Sequence, residues 1–273
     1  MRPTESPSPH RHLEAKTTRE LLSGINAEDR TVAAVVGEAL PQIEALAEAT
    51  LAGLAAGGRL FYVGAGTSGR LGVVDASECP PTYGVPHELV TGLIAGGDGA
   101  IRRAVEFAED DDAGGWRDLE AAGARAGDVV VGLAASGSTP YVVGALRDAR
   151  ARGLATGCVT CNPDTAVAAH SDFPVEVVTG PEFVTGSTRM KAGTAQKLVL
   201  NMLTTTVMIR LGRVRDNRMV DMHLSNDKLW ARGTAMLRER HPALTEAAAR
   251  ALLRRHGSVR AAAEAAEAGE AGE

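Results

Sequence analysis

The sequence predicts an α/β fold, a three-layer doubly wound parallel sheet with flanking N- and C-terminal helices. Two observations lead to this prediction. Several short runs consist almost entirely of Val, Leu and Ile, which is typical of strands buried on both faces of a parallel sheet. Segments with helical spacing lie between these runs, and a regular alternation of strands and helices is the pattern of a doubly wound domain.

The strands and helices of this domain follow one another without an internal repeat. The predicted strands are residues 59–65, 87–95, 128–136, 154–161 and 172–179. The helix candidates are residues 68–76, 98–110, 139–152 and, longest, 187–211.

Helical regions flank the predicted sheet on both sides. Apolar residues recur at helical spacing before it, Pro41 is expected to kink or divide that stretch, and Gly57-Gly58 to stop it. The Ala- and Glu-rich end of the chain is expected to bury little and to fray. The predicted organisation is a loose tail (1–12), N-terminal helices (13–56), a sheet domain (57–215) and a C-terminal helical region (216–273).

Composition excludes several classes of function. Hydrophobic residues make up 44% of the 273 residues, enough for a globular core. A net charge of −5 and only 3% aromatic residues argue against a nucleic-acid partner. No stretch reaches the length of a membrane span, and the polar N-terminus lacks the apolar segment of a secretory signal. These features predict a cytoplasmic protein that binds no membrane.

Three cysteines suit a reducing compartment, and two of them form a C-x-x-C, Cys158 and Cys161. A zinc or redox site needs further ligands or a helix start that lowers the thiol pKa. Because this pair closes an apolar run and is followed by Asn-Pro, a buried strand end is the favoured interpretation.

Three loops rich in glycine and hydroxyl groups follow predicted strands. We refer to GAGTSGR (64–70) as the first loop, ASGSTP (135–140) as the second and TGSTRMKAG (185–193) as the third. Each precedes a helix, and a helix start with close backbone N–H groups favours an anion. A hydroxyl in any one loop is explained equally well as a helix cap. Three such loops at one sheet edge favour a bound phosphomonoester.

The first loop also matches G-x-G-x-x-G, the spacing of dinucleotide-binding loops. That function requires an acidic residue about twenty residues later, at the end of the second strand. Glu88 stands at the start of that strand, and Asp98 lies beyond its end. In addition, the segment DASECPPTYGVP separates the first helix from the strand. Dinucleotide binding is therefore a minor alternative.

Two acidic features near these loops are candidates for acid–base chemistry. Glu78 lies between the first helix and two prolines, and an ordinary exposed glutamate is the alternative. Glu106 and Glu109 belong to the acidic run AVEFAEDDD, which as a class is more often a solvated helix end. Spacing alone does not choose between Glu106 and Glu109.

Long strings of the sequence resemble one family. GAGTSGRLGVVDASECPPTYG, GLAASGSTPYVV and VTGSTRMKAGTAQKLVLNML are similar to the N-acetylmuramic acid 6-phosphate etherases, members of the sugar isomerase (SIS) superfamily with a flavodoxin-like sheet. The resemblance runs from about Ala27 to Asn226. It implies hydrolytic cleavage of the D-lactyl ether of N-acetylmuramic acid 6-phosphate in the recovery of cell-wall sugars. It further implies a homodimer that needs no metal and no nucleotide.

The resemblance also implies residue roles. Glu78 matches the proton donor of the family and Glu109 its second catalytic glutamate. Arg189 and Lys191 are expected to meet either an anion or a protein carboxylate. The implied phosphate-binding residues are Thr67, Ser68, Ser136, Gly137, Ser138, Thr139, Ser187 and Lys191.

Two departures and two alternatives accompany the resemblance. The N-terminus keeps Thr4-Glu5 but loses the Asn and Ser pattern that follows in the family, and the C-terminal region is shorter. A non-catalytic regulatory protein, like the glucokinase regulatory protein, would need the serine loops but not Glu78. An SIS sugar-phosphate isomerase is the other alternative.

Overall fold

The computed structural model describes residues 2–105 and 107–270, so Glu106, one of the two acidic candidates, lies outside the described residues. The strands are β1 (Leu60–Gly64), β2 (Val90–Ile94), β3 (Val129–Leu133), β4 (Ala155–Thr160), β5 (Phe173–Glu176), β6 (Val214–Arg215) and β7 (Arg218–Met219). The helices are α1 (Thr18–Asp29), α2 (Val32–Glu38), α3 (Leu40–Ala55), α4 (Gly66–Tyr83), α5 (Gly99–Arg102), α6 (Gly114–Ala121), α7 (Pro140–Ala151), α8 (Ala166–Ala169), α9 (Lys191–Arg210), α10 (Asp227–Arg240), α11 (Glu246–His256) and α12 (Val259–Glu267).

The chain divides into two units. The first comprises Met1–Ser77 and Glu88–Val207, and the second comprises Glu78–His87 and Met208–Glu273. Both α4 and α9 therefore contribute residues to each unit.

The first unit contains a parallel sheet with the strand order β2-β1-β3-β4-β5. Every residue of β1 and β3 is buried, as expected for central strands covered on both faces. Helix α3 packs on β1, β3, β4 and β5, whereas α6 and α7 join a separate core cluster with β1 and β3 around Leu146, Val130 and Phe61. The predicted three-layer doubly wound α/β fold is confirmed.

Local sequence signals explain several helix boundaries. Thr17 and Glu20 form a reciprocal capping box at the start of α1. Pro41 occupies the first turn of α3, and the helical conformation is interrupted at Ala39, between α2 and α3. This agrees with the expected division at Pro41, because a proline is well tolerated in the first turn of a helix and disfavoured in its interior.

The N-terminal segment differs from the expected loose tail. Residues Pro3–Glu5 form a 3-10 turn, and Thr4 and Ser8 are buried. Both the backbone N–H and the side chain of Thr4 bond to the amide oxygen of Asn162. Hydrogen bonds to a distant part of the chain thus order a segment whose composition alone indicates disorder.

The second unit contains α10, α11 and α12 and the short β6–β7 ribbon, besides the ends of α4 and α9. Contrary to the expected fraying, Val259–Glu267 forms α12, which buries Ala262 and Ala263. The last three residues of the predicted frayed end, 271–273, lie outside the described residues. The hydroxyl of Ser258 caps the start of α12. Small alanine side chains let this helix pack closely against its neighbours.

No helix within the described ranges combines the length and the apolar character needed to cross a membrane.

Candidate active site

The first and second loops lie side by side at the carboxyl edge of the sheet. They follow β1 and β3, which are paired neighbours with Gly64 opposite Leu133. The strand order reverses direction at this pair, since β2 lies on one side of β1 and β3 on the other. Ligands of doubly wound sheets bind in the crevice at such a switch point. The topology therefore brings two of the three predicted loops together.

The first loop turns tightly from β1 into α4. A Cβ added to Gly64 would lie 2.7 Å from the backbone nitrogen of Gly69, so only glycine permits this turn. The hydroxyl of buried Ser68 donates a hydrogen bond of 2.8 Å to Oε1 of Gln196 in α9. The hydroxyl proton of Ser68 is therefore used in a hydrogen bond that links the first loop to α9. The hydroxyl oxygen can still accept a hydrogen bond. Thr67 is half-buried beside it.

The second loop presents hydroxyl groups at the start of α7. Ser136 and Ser138 are half-buried, their Oγ atoms lie 3.4 Å apart, and the backbone N–H of Ser138 donates to Oγ of Ser136. Gly137 has a φ of +74°, and a Cβ there would come within 2.2 Å of Cγ2 of Thr165. Thr139 precedes Pro140 and accepts the backbone N–H groups of the first turn of α7 through its carbonyl.

The start of α9, at the end of the third loop, is already occupied by a carboxylate of the chain. Fully buried Glu182 accepts hydrogen bonds from the backbone N–H groups of Lys191 and Ala192, at 2.9 and 3.0 Å. A carboxylate here satisfies the first N–H groups and suits the positive end of the helix dipole. Ser187 is half-buried in the preceding turn. This placement argues against the predicted role of this helix start in binding phosphate.

Lys191 forms an ion pair within the protein. Its Nζ lies 2.6 Å from Oε2 of Glu28, and its side chain is 5% exposed. His10 Nε2 lies 2.8 Å from the other carboxylate oxygen of Glu28. Of the two expectations for Lys191, the contact with a protein carboxylate is therefore favoured over the predicted contact with phosphate. Arg189 is exposed.

The Lys191–Glu28 pair predicts a pH-dependent contribution to stability. Hydrogen bonds from Lys191 and then from His10 hold the pKa of Glu28 below its usual value of 4.5. A lowered folded-state pKa stabilises the protein above the ordinary pKa, and this stabilisation is lost as the pH falls through the folded-state pKa. We expect Glu28→Gln to lower the free energy of unfolding by about 3 kcal/mol near neutral pH, because it leaves a buried ammonium without its carboxylate. Urea unfolding of the whole protein measures this loss.

The exposed Glu38 provides the matched control, and Glu38→Gln should change the free energy of unfolding by less than about 0.5 kcal/mol. At a pH low enough to protonate Glu28, wild type and Glu28→Gln should have nearly the same free energy of unfolding. An equal difference at both pH values would contradict the assigned ion pair.

Glu109 lies at a cavity beside the first loop. The cavity has a volume of about 170 Å³ and is formed where β1 and β2 end. Glu109 stands in a 3-10 turn (Ala108–Asp110) and is exposed, which leaves its carboxylate accessible to a ligand. The lining residues are Ala65, Gly66, Arg70, Ala95, Ala100, Ala104, Val105, Phe107, Ala108 and Glu109.

Glu78 belongs to the second unit and lies in α4, the helix that the first loop opens. Its side chain is exposed, whereas the neighbouring Cys79 is buried. The segment that the sequence predicted as an insert after the first helix is instead helical through Tyr83.

Both thiols of the C-x-x-C are fully buried at the end of β4. Burial raises the pKa of Cys158 to about 11 and that of Cys161 to about 12, so both stay protonated at neutral pH. This environment agrees with the buried strand end that the sequence favoured. The described residues contain no group of three His, Cys, Asp or Glu side chains arranged to hold a metal ion.

Three polar residues near the loops were missed by the sequence analysis. Arg70 lines the cavity, and its guanidinium donates to the carbonyls of Ala100 and Ile101. Asn162 is fully buried and donates to carbonyls of the second loop. Arg2 donates to the hydroxyl of Ser138. In the sequence, Asn162 directly follows the predicted strand 154–161, and Arg70 closes the first loop; these positions are the signals that single them out.

Two family models match the chain. The Glucokinase regulatory protein N-terminal SIS domain matches residues 42–150, and the SIS domain matches residues 106–206. Solved structures share this fold. A phosphoheptose isomerase from Neisseria gonorrhoeae has a TM-score of 0.55 and 21% identity, covering 70% of this chain and 98% of its own. A phosphoheptose isomerase from Francisella tularensis has a TM-score of 0.52 and 18% identity, covering 71% and 100%.

Relatives over nearly the whole length are much more similar. An N-acetylmuramic acid 6-phosphate etherase from Porphyromonas gingivalis is 58% identical over 261 residues, 96% of this chain and 95% of the relative. Proteins of the same name from Christiangramia forsetii and Bacteroides thetaiotaomicron are 58% and 55% identical, covering 94% and 96% of this chain and 93% and 94% of their own. The chain therefore belongs to the N-acetylmuramic acid 6-phosphate etherase family.

Proposed function

We propose that this enzyme cleaves the D-lactyl ether of N-acetylmuramic acid 6-phosphate, giving N-acetylglucosamine 6-phosphate and D-lactate. The observation that carries the proposal is 58% identity to an etherase of that name over 96% of the chain. The exposed carboxylate of Glu109, at the cavity beside the first loop, supports it.

The chemistry requires one base and one acid. Opening of the pyranose exposes an aldehyde at C1, which acidifies the proton on C2. A base removes that proton, the C3–O bond breaks, and its electron pair leaves with the lactate oxygen, which is protonated by an acid. Water then adds at C3 of the unsaturated aldehyde, and a proton returns to C2. Each ether consumes one water, and no electrons are exchanged with another reagent.

Two glutamates divide this task in our proposal. Glu78 protonates the departing lactate oxygen, and Glu109 transfers the proton at C2 or to and from water. One carboxyl must be protonated while the other is ionised, so different surroundings suit their roles.

The hydroxyl loops are proposed to hold the 6-phosphate, far from the reacting carbons. Phosphate binding then supplies positioning energy for the reaction at C2 and C3. The residues involved are Thr67, Ser68, Ser136, Gly137, Ser138 and Thr139. Ser187 of the third loop adds only its hydroxyl, because Glu182 already occupies the start of α9. We leave Lys191 out of this set because it pairs with Glu28.

A product assay tests the proposal. Purified protein incubated with N-acetylmuramic acid 6-phosphate should release D-lactate and N-acetylglucosamine 6-phosphate in equal amounts. Folded protein that binds the sugar phosphate without releasing lactate would support the regulatory alternative instead. A 2-keto product would support an isomerase.

We further propose that the enzyme is a cytoplasmic homodimer acting in peptidoglycan recycling. Helices α4 and α9 are neighbours in the first unit, where Asn201 donates to Asp75, and the adjacent Val74 and Met202 are 50% and 37% exposed. A contiguous apolar patch is typical of an interface between subunits, and we propose that Val74 and Met202 belong to one. Light scattering of the purified protein, with a mass of twice 28.3 kDa expected, tests the dimer.

A further inference from the structure

The N-terminal segment spans from the second loop to the third. We call residues 2–8 the N-terminal strap. At one end, the guanidinium of Arg2 donates to the hydroxyl of Ser138 in the second loop. At the other end, the backbone N–H of Ser8 donates to Oγ1 of Thr185 in the third loop, at 2.9 Å. The hydroxyl of Ser8 donates to the carbonyl of Phe183, at 2.8 Å.

A buried amide fixes the strap to the backbone of the second loop. Thr4 and Asn162 are both 0% exposed. The amide oxygen of Asn162 accepts the backbone N–H of Thr4 at 3.0 Å, and its Nδ2 donates to Oγ1 of Thr4 at 2.8 Å. The same Nδ2 lies 3.0 and 3.4 Å from the carbonyls of Ala135 and Ser136. The position of Thr4 is therefore coupled to the loop that carries the serines.

Arg2 supplies positive charge at the second loop. Two other cations near the loops are already engaged: Arg70 is directed at the carbonyls of Ala100 and Ile101, and Lys191 is paired with Glu28. Arg2 is exposed and two residues before Thr4, so its guanidinium is accessible to a ligand while its backbone is held. Glu5, the acidic residue of the strap, does not neutralise Arg2 in this arrangement, since its Oε2 lies beside Gly186 of the third loop.

A guanidinium beside two hydroxyls and a helix start matches the chemistry of a phosphomonoester. The α7 start and its hydroxyls offer donors without a full charge, and a planar guanidinium adds paired N–H donors with a charge. We propose that Arg2 binds the 6-phosphate together with Ser136 and Ser138, and that the Thr4–Asn162 pair positions it. This proposal rests on the proposed function, because it assumes that the second loop holds the phosphate of the sugar.

Kinetics of Arg2 variants test the contact. Arg2→Ala should raise the KM for N-acetylmuramic acid 6-phosphate about tenfold or more, with a smaller change in kcat, because the lost contact is remote from the reacting carbons. The inhibition constant of inorganic phosphate should rise by a similar factor. Arg2→Lys keeps the charge and should recover part of both losses. Arg11→Ala, which removes another exposed arginine of the N-terminal region, should leave both values within about twofold of wild type.

Variants of Thr4 test the positioning role separately. Thr4→Val is nearly isosteric and removes the hydroxyl that bonds Asn162, so it should raise both constants in the same direction as Arg2→Ala. Thr4→Ser keeps the hydroxyl and should recover both constants. In the Arg2→Ala background, Thr4→Val should add little to the KM, because the residue that it positions is absent.

The outcomes distinguish this proposal from the proposed function. If Arg2→Ala leaves KM and phosphate inhibition unchanged while Ser138→Ala raises both, the proposal is overturned and the etherase function stands. If wild type releases no lactate, the etherase function fails. Calorimetric titration with inorganic phosphate then decides the contact of Arg2, which weaker binding by Arg2→Ala supports and equal binding overturns.

Discussion

Replacing Glu109 with glutamine is expected to lower kcat for lactate release by at least about 100-fold. Glutamine keeps the shape of the side chain but cannot accept a proton, and general acid–base catalysis typically contributes 10² to 10⁴ in rate. KM should change far less, because the phosphate loops remain intact. Steady-state measurement of D-lactate with N-acetylmuramic acid 6-phosphate as substrate gives both constants.

Asp110 provides the control for this variant. It is the next residue of the same 3-10 turn and is also exposed, so Asp110→Asn removes the same charge from nearly the same place. It should retain activity within a few-fold of wild type. A loss as large in Asp110→Asn as in Glu109→Gln would indicate a general electrostatic effect and no specific proton transfer by Glu109.

The second large effect is expected at Glu78. Glu78→Gln should also lower lactate release by about 100-fold or more, because the departing oxygen no longer receives a proton. Removal of the C2 proton precedes that step, so this variant should still exchange the C2 hydrogen of the sugar for deuterium in D2O. Glu109→Gln should lose the exchange if Glu109 is the base. NMR of the recovered sugar measures the exchange.

The pair of variants separates the two roles. Glu88→Gln, at an exposed position before β2, serves as the control and should release lactate at nearly the wild-type rate. Near-normal ether cleavage by Glu78→Gln would show that the acid is another group. Loss of exchange in Glu78→Gln with retained exchange in Glu109→Gln would reverse the assignment.

The buried strands were predictable from the sequence because their chemistry is local. The run around Val129–Leu133 is apolar and β-branched, and every one of its residues is buried in β3. The loops after these strands could also be placed, since parallel strands all end at one edge. The spacing of glycines and serines in the second loop predicted a turn into α7, and Pro140 begins that helix.

The extent of α4 and the presence of α6 were not predictable, because they depend on packing between residues that are distant in the sequence. Helix α4 continues through Pro80 and Pro81, which local rules forbid, because buried Cys79 and Tyr83 pack this part of the helix. Helix α6 was missed because it opens with two glycines, and its stability comes from fully buried Leu119.

In the candidate site, too, the partners of several side chains could not be predicted from the sequence. The hydroxyl of Ser68 looks available in the sequence, but it is directed at Gln196, which lies 128 residues away. Likewise, nothing near Lys191 in the sequence identifies Glu28 as its partner. Interactions of this kind arise only when the folded chain brings side chains together.

The three buried cysteines can report on local unfolding of the protein. Cys79 lies in the second unit and is 2% exposed, whereas Cys158 and Cys161 lie in the first and are 0% exposed. A thiol reagent reacts with a thiolate that it can reach, so modification of each cysteine requires the surrounding structure to open first. Mass spectrometry of peptides after timed exposure to a maleimide would therefore time the opening of each unit separately, without introducing any new residue.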